Sequence, residues 1–243
     1  LNEFGRHGLI DSDSESYSSR TDVDQHELQQ VRVDVCEQAA GDAGLDRSGW
    51  DIQQGGDGEL AVLPRNQLMT SVIDELPESL CDALTTHNST ARPAMRLRMR
   101  MAMHEGMVRP AAGGFAGTGV VTVSRMVASS VARQALIACP EANLVVLLST
   151  TLYNEYVRQG HTAIPAERFR KVAVSVKKFN EAAWLYVPRY DVHSLNLDDA
   201  PPPADRPAAN ASVANQHATT ITNVQGNITG DRHVFGVSYQ NNR

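Results

Sequence analysis

Apolar positions along the chain switch repeatedly between a spacing of two and a spacing of three to four, which divides it into short strands and longer helices. A first helix is predicted from Asp22 to Ala40, where Leu28, Val31, Val35 and Ala39 share a face. Thr21 and Asp24 suit a capping box at its start, and Gly41 and Gly44 end it. Ser48 to Gln54 and Glu59 to Leu63 read as the two arms of a hairpin, closed by Pro64. Leu68, Val72, Leu76, Leu80 and Leu84 place a second helix over Asn66 to Asn88, which Pro77 is expected to kink or split. After Pro93 the period drops to two: Met95, Leu97, Met99, Met101 and Met103 take one face, and Arg96, Arg98 and Arg100 the other. The methionine stripe reads as core, the arginines as a solvated or interface face. His104 is expected to end this strand as a hydrogen-bonded structural residue.

Gly106 to Gly117 then read as a glycine-rich hairpin, followed by one helix from Thr118 to Ala138 carrying Val121, Met126, Val131 and Leu136. Asn143 to Ser149 are a buried strand, Thr151 to Arg158 a short helix, and Phe169 to Lys177 and Ala183 to Val187 two more strands. At the start of the chain a short apolar piece leads to Asp11 and Asp13, where a strand would deliver side chains to a site; an exposed acidic tail is the other reading. The order predicts an α+β fold with helices packed on one face of a mostly antiparallel sheet. Composition breaks after Tyr190, which suggests a domain over 1–192, a Pro/Ala/Asn-rich linker over 193–217 containing Pro201-Pro202-Pro203, and a β-prone segment over 218–243.

Composition narrows the function without naming it. At 243 residues with 42% hydrophobic and 21% charged residues, the chain suits one sizeable domain with an appendage, or two small domains. A net charge of −6 argues against a nucleic-acid binder working through bulk basicity. No apolar run approaches the roughly 20 residues of a membrane helix. The first residues lack a signal-peptide pattern, so a cytoplasmic setting is expected. Cys36, Cys81 and Cys139 are odd in number and widely spaced, and read as buried free thiols.

Three stretches carry candidate chemistry. Asp13-Ser14-Glu15-Ser16-Tyr17-Ser18 follows a strand, and Gly56-Asp57-Gly58 tips the hairpin. Gly117-Thr118-Gly119-Val120-Val121-Thr122-Val123-Ser124-Arg125 opens a helix with an arginine two turns in. Taken with Met103-His104-Glu105-Gly106, their order and separations resemble the class III nucleotidyl cyclase catalytic domain over about residues 7–190. The resemblance implies a ferredoxin-like sheet and the conversion of a nucleoside triphosphate to a 3′,5′-cyclic nucleotide. It implies two divalent ions, Mg²⁺ or Mn²⁺, held by Asp13 and Asp57, and triphosphate binding by Ser14, Glu15, Ser16, Tyr17 and Ser18. It assigns Arg125 to transition-state charge and Lys177 to the triphosphate, both supplied across a homodimer.

Departures from the family pattern fall on the base and the reacting centre. The family's transition-state asparagine falls on Val121, and its two purine-reading positions on Gln53 and Gly114, so neither standard adenine nor standard guanine reading is present. Some divergent relatives in bacterial anti-phage signalling make cyclic pyrimidine nucleotides, and a rebuilt base pocket is compatible with that. Two further readings stand beside the enzyme: a silent cyclase-like sensor or adaptor, and a metal-independent ferredoxin-like binding module. In the last segment Val224 and Gly226 repeat as Val234 and Gly236, which suits a hairpin or two solenoid rungs. It resembles short amyloid-signalling motifs and implies a tail-mediated partner or self-assembly; a disordered polar tail is the alternative.

Overall fold

The computed structural model describes residues 4–197. The linker from 198 onward and the 218–243 segment lie outside the described residues. Leu9 and Ile10 are both buried, so β1 (Gly5–Ser14) is covered on both faces and is a full ten-residue strand. Its neighbours are β3 (Gly58–Val62), which follows β2 (Asp51–Gln54) in the hairpin, and β4 (Met99–Ala111). Beyond β4 come β6 (Leu144–Ser149), β8 (Phe179–Tyr186) and β7 (Arg170–Val176), while the short β5 (Gly114–Ala116) pairs with the far end of β4. Every pairing is antiparallel except β4 with β6.

This is the expected α+β, mostly antiparallel sheet. Helices α1 (Asp22–Asp42) and α2 (Met69–Thr90) pack on one face, where Leu28, Val35, Val72, Leu76 and Leu80 join Ile10, Ala61, Met101, Met103 and Val146. The alternate sheet residues, among them Leu9, Val62, Ala102 and Val145, form a second cluster with α3 (Thr118–Val127) and α4 (Ser130–Ala138). Thr21 caps α1 by accepting from the Asp24 N–H at 3.2 Å, and all three cysteines are buried and free. No described helix is long and apolar enough to cross a membrane.

Several boundaries differ from the sequence reading, each for a physical reason. The methionine strand starts later, since Met95 sits in a 3₁₀ turn (Pro93–Met95), and it runs past His104 to Ala111. Gly106 is a point of close approach rather than a turn: a Cβ there would lie 2.6 Å from the Gly119 Cα, so the two glycines let α3 cross the strand. His104 is therefore mid-strand, and its buried Nδ1 has no hydrogen-bond partner. The helix expected over 118–138 is two helices, because Ser129 stops α3 and caps α4, accepting from the Ala132 N–H at 3.3 Å. Pro77 does not split α2, which is continuous through it. The short helix is a single α-turn, α5 (Thr150–Leu152), continued by a π turn (Tyr153–Val157). After β8 the chain stays packed, with Val192, Leu195 and Leu197 buried in the second cluster.

Candidate active site

The second face of β1 changes from apolar to acidic as the strand ends, with Leu9, Asp11 and Asp13 at successive alternate positions. Beside it, the β2–β3 turn is closed by Gly55 N–H donating to the Gly58 carbonyl at 2.8 Å. This turn lies hard against β1. A Cβ on Gly58 would stand 1.9 Å from the Ser12 carbonyl oxygen, and the Ser14 N–H donates to the Asp57 carbonyl at 2.7 Å. Asp57 is thereby brought next to the end of β1, and Asp11, Asp13 and Asp57 line one cleft of about 370 Å³. Gln53, Phe115, Val120 and Ser124 are among its other walls.

Burial and mutual repulsion shape the charges. Burial pushes the Asp11 carboxyl up to about 6; the 2.6 Å bond from the Ser124 hydroxyl opposes that, and Asp13 and Asp57 add to it. Burial also raises Asp13, against the pull of the Arg100 guanidinium, which donates to its two oxygens at 2.6 and 2.9 Å. Arg133 of α4 adds a weaker pull in the same direction. The Asp57 side chain is exposed and makes no hydrogen bond or ion pair among the described residues.

The structure thus brings Asp13 and Asp57 together, and with them Asp11. It adds a cation that sequence reasoning assigned to a solvated or interface face. Arg100 is buried, held opposite Asp13 by the β1–β4 register. Arg98 is likewise engaged, with Glu15 at 2.8 Å and with the carbonyls of Ala142 and Cys139, whereas Arg96 is exposed. Strand register was the missing signal, because it pairs residues far apart in the chain.

Among the proposed triphosphate residues, the Ser14 and Glu15 N–H groups are already used, bonding the Asp57 and Arg98 carbonyls. Ser16 is left-handed at φ 56°, which turns the chain into a 3₁₀ turn (Tyr17–Ser19) and leaves the amides of Ser16, Tyr17 and Ser18 without partners among the described residues. Tyr17 is fixed through its hydroxyl, which accepts from Gln29 at 2.6 Å.

Gln53 and Gly114 also meet. A Cβ on Gly114 would lie 1.9 Å from the Gln53 Oε1, so the missing side chain makes room for the Gln53 carboxamide. Val121 is 53% exposed on α3, pointing outward rather than into the cleft that Val120 lines. Arg125 follows four residues later, half-buried and without a hydrogen bond or ion pair among the described residues. Lys177 is elsewhere, at φ 56° in the two-residue β7–β8 turn. Three strand spacings separate β1 from β8, and the turn is at the opposite end of the strands from Asp13, so the two are roughly 14 Å apart across the sheet and over roughly 20 Å along it.

No family model and no curated protein matches the sequence. Solved structures do match the fold. A crystal structure described as an adenylate/guanylate cyclase/hydrolase from Silicibacter pomeroyi aligns over 77% of this chain and 99% of its own, at 18% identity and a TM-score of 0.56. The guanylyl cyclase Cya2 aligns over 76% of this chain and 92% of its own, at 13% identity and 0.51. A bacterial light-regulated adenylyl cyclase aligns over 79% of this chain and 56% of its own, at 13% identity and 0.52.

Proposed function

We propose that this chain, which has the fold of class III adenylate and guanylate cyclase catalytic domains, is a divergent nucleotidyl cyclase working as a homodimer. It would convert a nucleoside triphosphate to a 3′,5′-cyclic nucleotide and pyrophosphate, as part of a signalling system. The observation that carries this reading is the convergence of Asp13 and Asp57 at the end of β1, reached from opposite ends of a 44-residue separation through a turn that has no room for a side chain at Gly58.

The donors present suit Mg²⁺ or Mn²⁺. They are all carboxylate oxygens, and burial with repulsion from Asp13 and Asp57 leaves Asp11 short of positive charge, whereas Asp13 already faces Arg100. Among the described residues no three His, Cys, Asp or Glu form a ready cage. Mg²⁺ usually takes only one or two carboxylates and completes its shell with water and substrate phosphates. Asp13 and Asp57 would hold the ions, with Asp13 shared against Arg100. When bound, such ions lower the pKa of the ribose 3′-hydroxyl and offset charge on the attacking and leaving oxygens.

The remaining roles fall to the protein's own groups. The 3′-hydroxyl would lose its proton to solvent, and its oxygen would bond to the α-phosphorus as the bond from that phosphorus to the α,β-bridging oxygen breaks, pyrophosphate leaving with the electron pair of that bond. Arg100, buried and donating to both Asp13 oxygens, would offset charge beside the ion-binding carboxylates. The free amides of Ser16 to Ser18 would donate hydrogen bonds to further phosphate oxygens. Arg125 and Lys177 would come from the second chain, which the distance of Lys177 from its own cleft supports. Gln53, which lines the cleft and packs against Gly114, would hydrogen-bond a base.

A second reading is favoured by Val121, which offers no hydrogen bond where the family has an asparagine. Loss of one such donor costs about 10²–10³ in rate. The alternative is a silent cyclase-like adaptor. Incubating the purified protein with Mn²⁺ and each of the four ribonucleoside triphosphates, beside Asp57→Ala, separates the two. Cyclic product from the wild type and none from the variant supports the enzyme; no product under any of these conditions assigns the chain to the adaptor.

A further inference from the structure

Helix α1 carries an arginine in its apolar stripe. Arg32 lies one turn from Leu28 and is only 2% exposed, one of the largest fully buried side chains in the protein. Its Nη1 donates to Glu59 at 3.2 Å, and its Nη2 to the Gln54 side-chain oxygen at 2.9 Å and to the Gly55 carbonyl at 3.4 Å. Glu59, itself buried, also receives two bonds from Arg47, at 2.7 and 2.9 Å, and one from the Gln54 amide at 3.1 Å. Gln54 belongs to one arm of the hairpin, Glu59 to the other and Gly55 to the turn that bears Asp57, so this single guanidinium ties both arms to that turn.

A buried ion pair is a poor source of stability, because desolvating the charges offsets most of their attraction, and apolar replacements of similar volume are often neutral or stabilising. What such a cluster supplies is a fixed geometry. Asp57 needs one: it is flanked by Gly56 and Gly58, its side chain has no partner among the described residues, and its direction is inherited entirely from the turn backbone.

We propose that Arg32 is a positioning residue for Asp57, holding the hairpin tip from inside the fold so that the carboxylate meets a divalent ion at the end of β1. This rests on the reading of Asp57 as a metal-binding residue, and the test separates the two. Mn²⁺ binding to the full chain is followed by the loss of the free-ion electron paramagnetic resonance signal, with thermal unfolding measured on the same samples. Arg32→Met is expected to weaken Mn²⁺ binding about 10- to 100-fold, the usual effect of removing a group that orients a metal-binding residue. Its unfolding midpoint should fall, because removing one partner of a buried ion pair leaves Glu59, Gln54 and Gly55 short of a donor, and binding is therefore compared well below that midpoint. Arg92→Met, which removes an exposed arginine paired with Asp24 and Glu27, controls for lost charge and should bind as the wild type does. Unchanged binding by Arg32→Met, while Asp57→Asn has lost it, overturns the role of Arg32 and leaves the metal site standing. Binding by Asp57→Asn equal to that of the wild type, or none by the wild type, overturns both. If Arg32→Met does not fold, Arg32→Lys carries the test: it keeps the buried charge and loses the planar fork that spans Glu59, Gln54 and Gly55. Weakened Mn²⁺ binding by that variant upholds the proposal, and unchanged binding overturns it.

Discussion

At the scale of single residues, the acidic cleft carries a cost that pH exposes. The Asp11 carboxyl is raised from 3.8 to about 6 in the folded protein, so the neutral form favours folding. Its contribution is fully present below the unfolded value and is lost as pH rises through about 6. Asp11→Asn keeps an oxygen for the Ser124 hydroxyl and cannot ionise. It should therefore stabilise the metal-free protein at pH 7.5 by up to about 3 kcal/mol and change little near pH 3.8. Urea unfolding at the two pH values checks this, and an equal gap between variant and wild type at both would refute it. Gly58 fails in the opposite way. A methyl group there meets the Ser12 carbonyl oxygen at 1.9 Å and its carbon at 2.9 Å, backbone atoms that no rotamer change relieves. Gly58→Ala should lower stability by roughly 2–4 kcal/mol as the β1–β3 pairing is forced apart, read as a drop in the urea midpoint. His104 is pushed down to about 4 by burial and the nearby Arg6, so it stays neutral at pH 7.

At the scale of elements, what was legible in the sequence was what local periodicity encodes. The α1 face, the hairpin around Asp57 and the buried β6 all follow from spacing and turn residues, and the structure forms each of them. Two kinds of feature escaped. Gly106 looked like a turn because glycine in a sequence carries no mark of whether it frees the backbone or makes way for another element; here it makes way for Gly119. Arg100 read as a solvated or interface charge, and Arg32 carried no signal at all, because their partners Asp13 and Glu59 are 87 and 27 residues away, beyond any helical or strand period. Asp13 and Asp57 were legible as a pair only through their order with other motifs, whereas the closeness of Asp11 needed the strand face to be known. The α3–α4 break belongs to the first kind: Ser129 sits within an unbroken apolar pattern, yet its hydroxyl donates to the Met126 carbonyl at 2.7 Å and accepts from Ala132. Ser129→Ala should cost about 1–2 kcal/mol, since the site is fully buried and two bonds are lost. A loss under half a kcal/mol in chemical denaturation would show that packing alone sets the break.

At the scale of the whole molecule, the sheet order constrains which of the candidate residues one chain can bring together. The acidic cleft forms at β1 and the β2–β3 turn, near one edge and one end of the sheet; Lys177 sits by the other edge at the opposite end. A rigid sheet with a buried core on both faces does not fold over to bring them together. If Lys177 serves the site, it must arrive on another chain, and Arg125, half-buried on α3 one turn after exposed Val121, would be expected to act in the same encounter. Two-fold symmetry then gives a dimer two composite sites, each with one chain's carboxylates and the other chain's basic residues. Asp57→Asn and Arg125→Ala should each be inactive alone, because every site in either homodimer lacks one partner. Mixed after unfolding and refolding together, half of the dimers carry one chain of each kind, and each of these has one intact site, so about a quarter of wild-type cyclase activity should return. Activity that stays at the level of the separate variants, with mixed dimers confirmed by mass spectrometry, would place both residues in the same chain's site and remove the need for a partner.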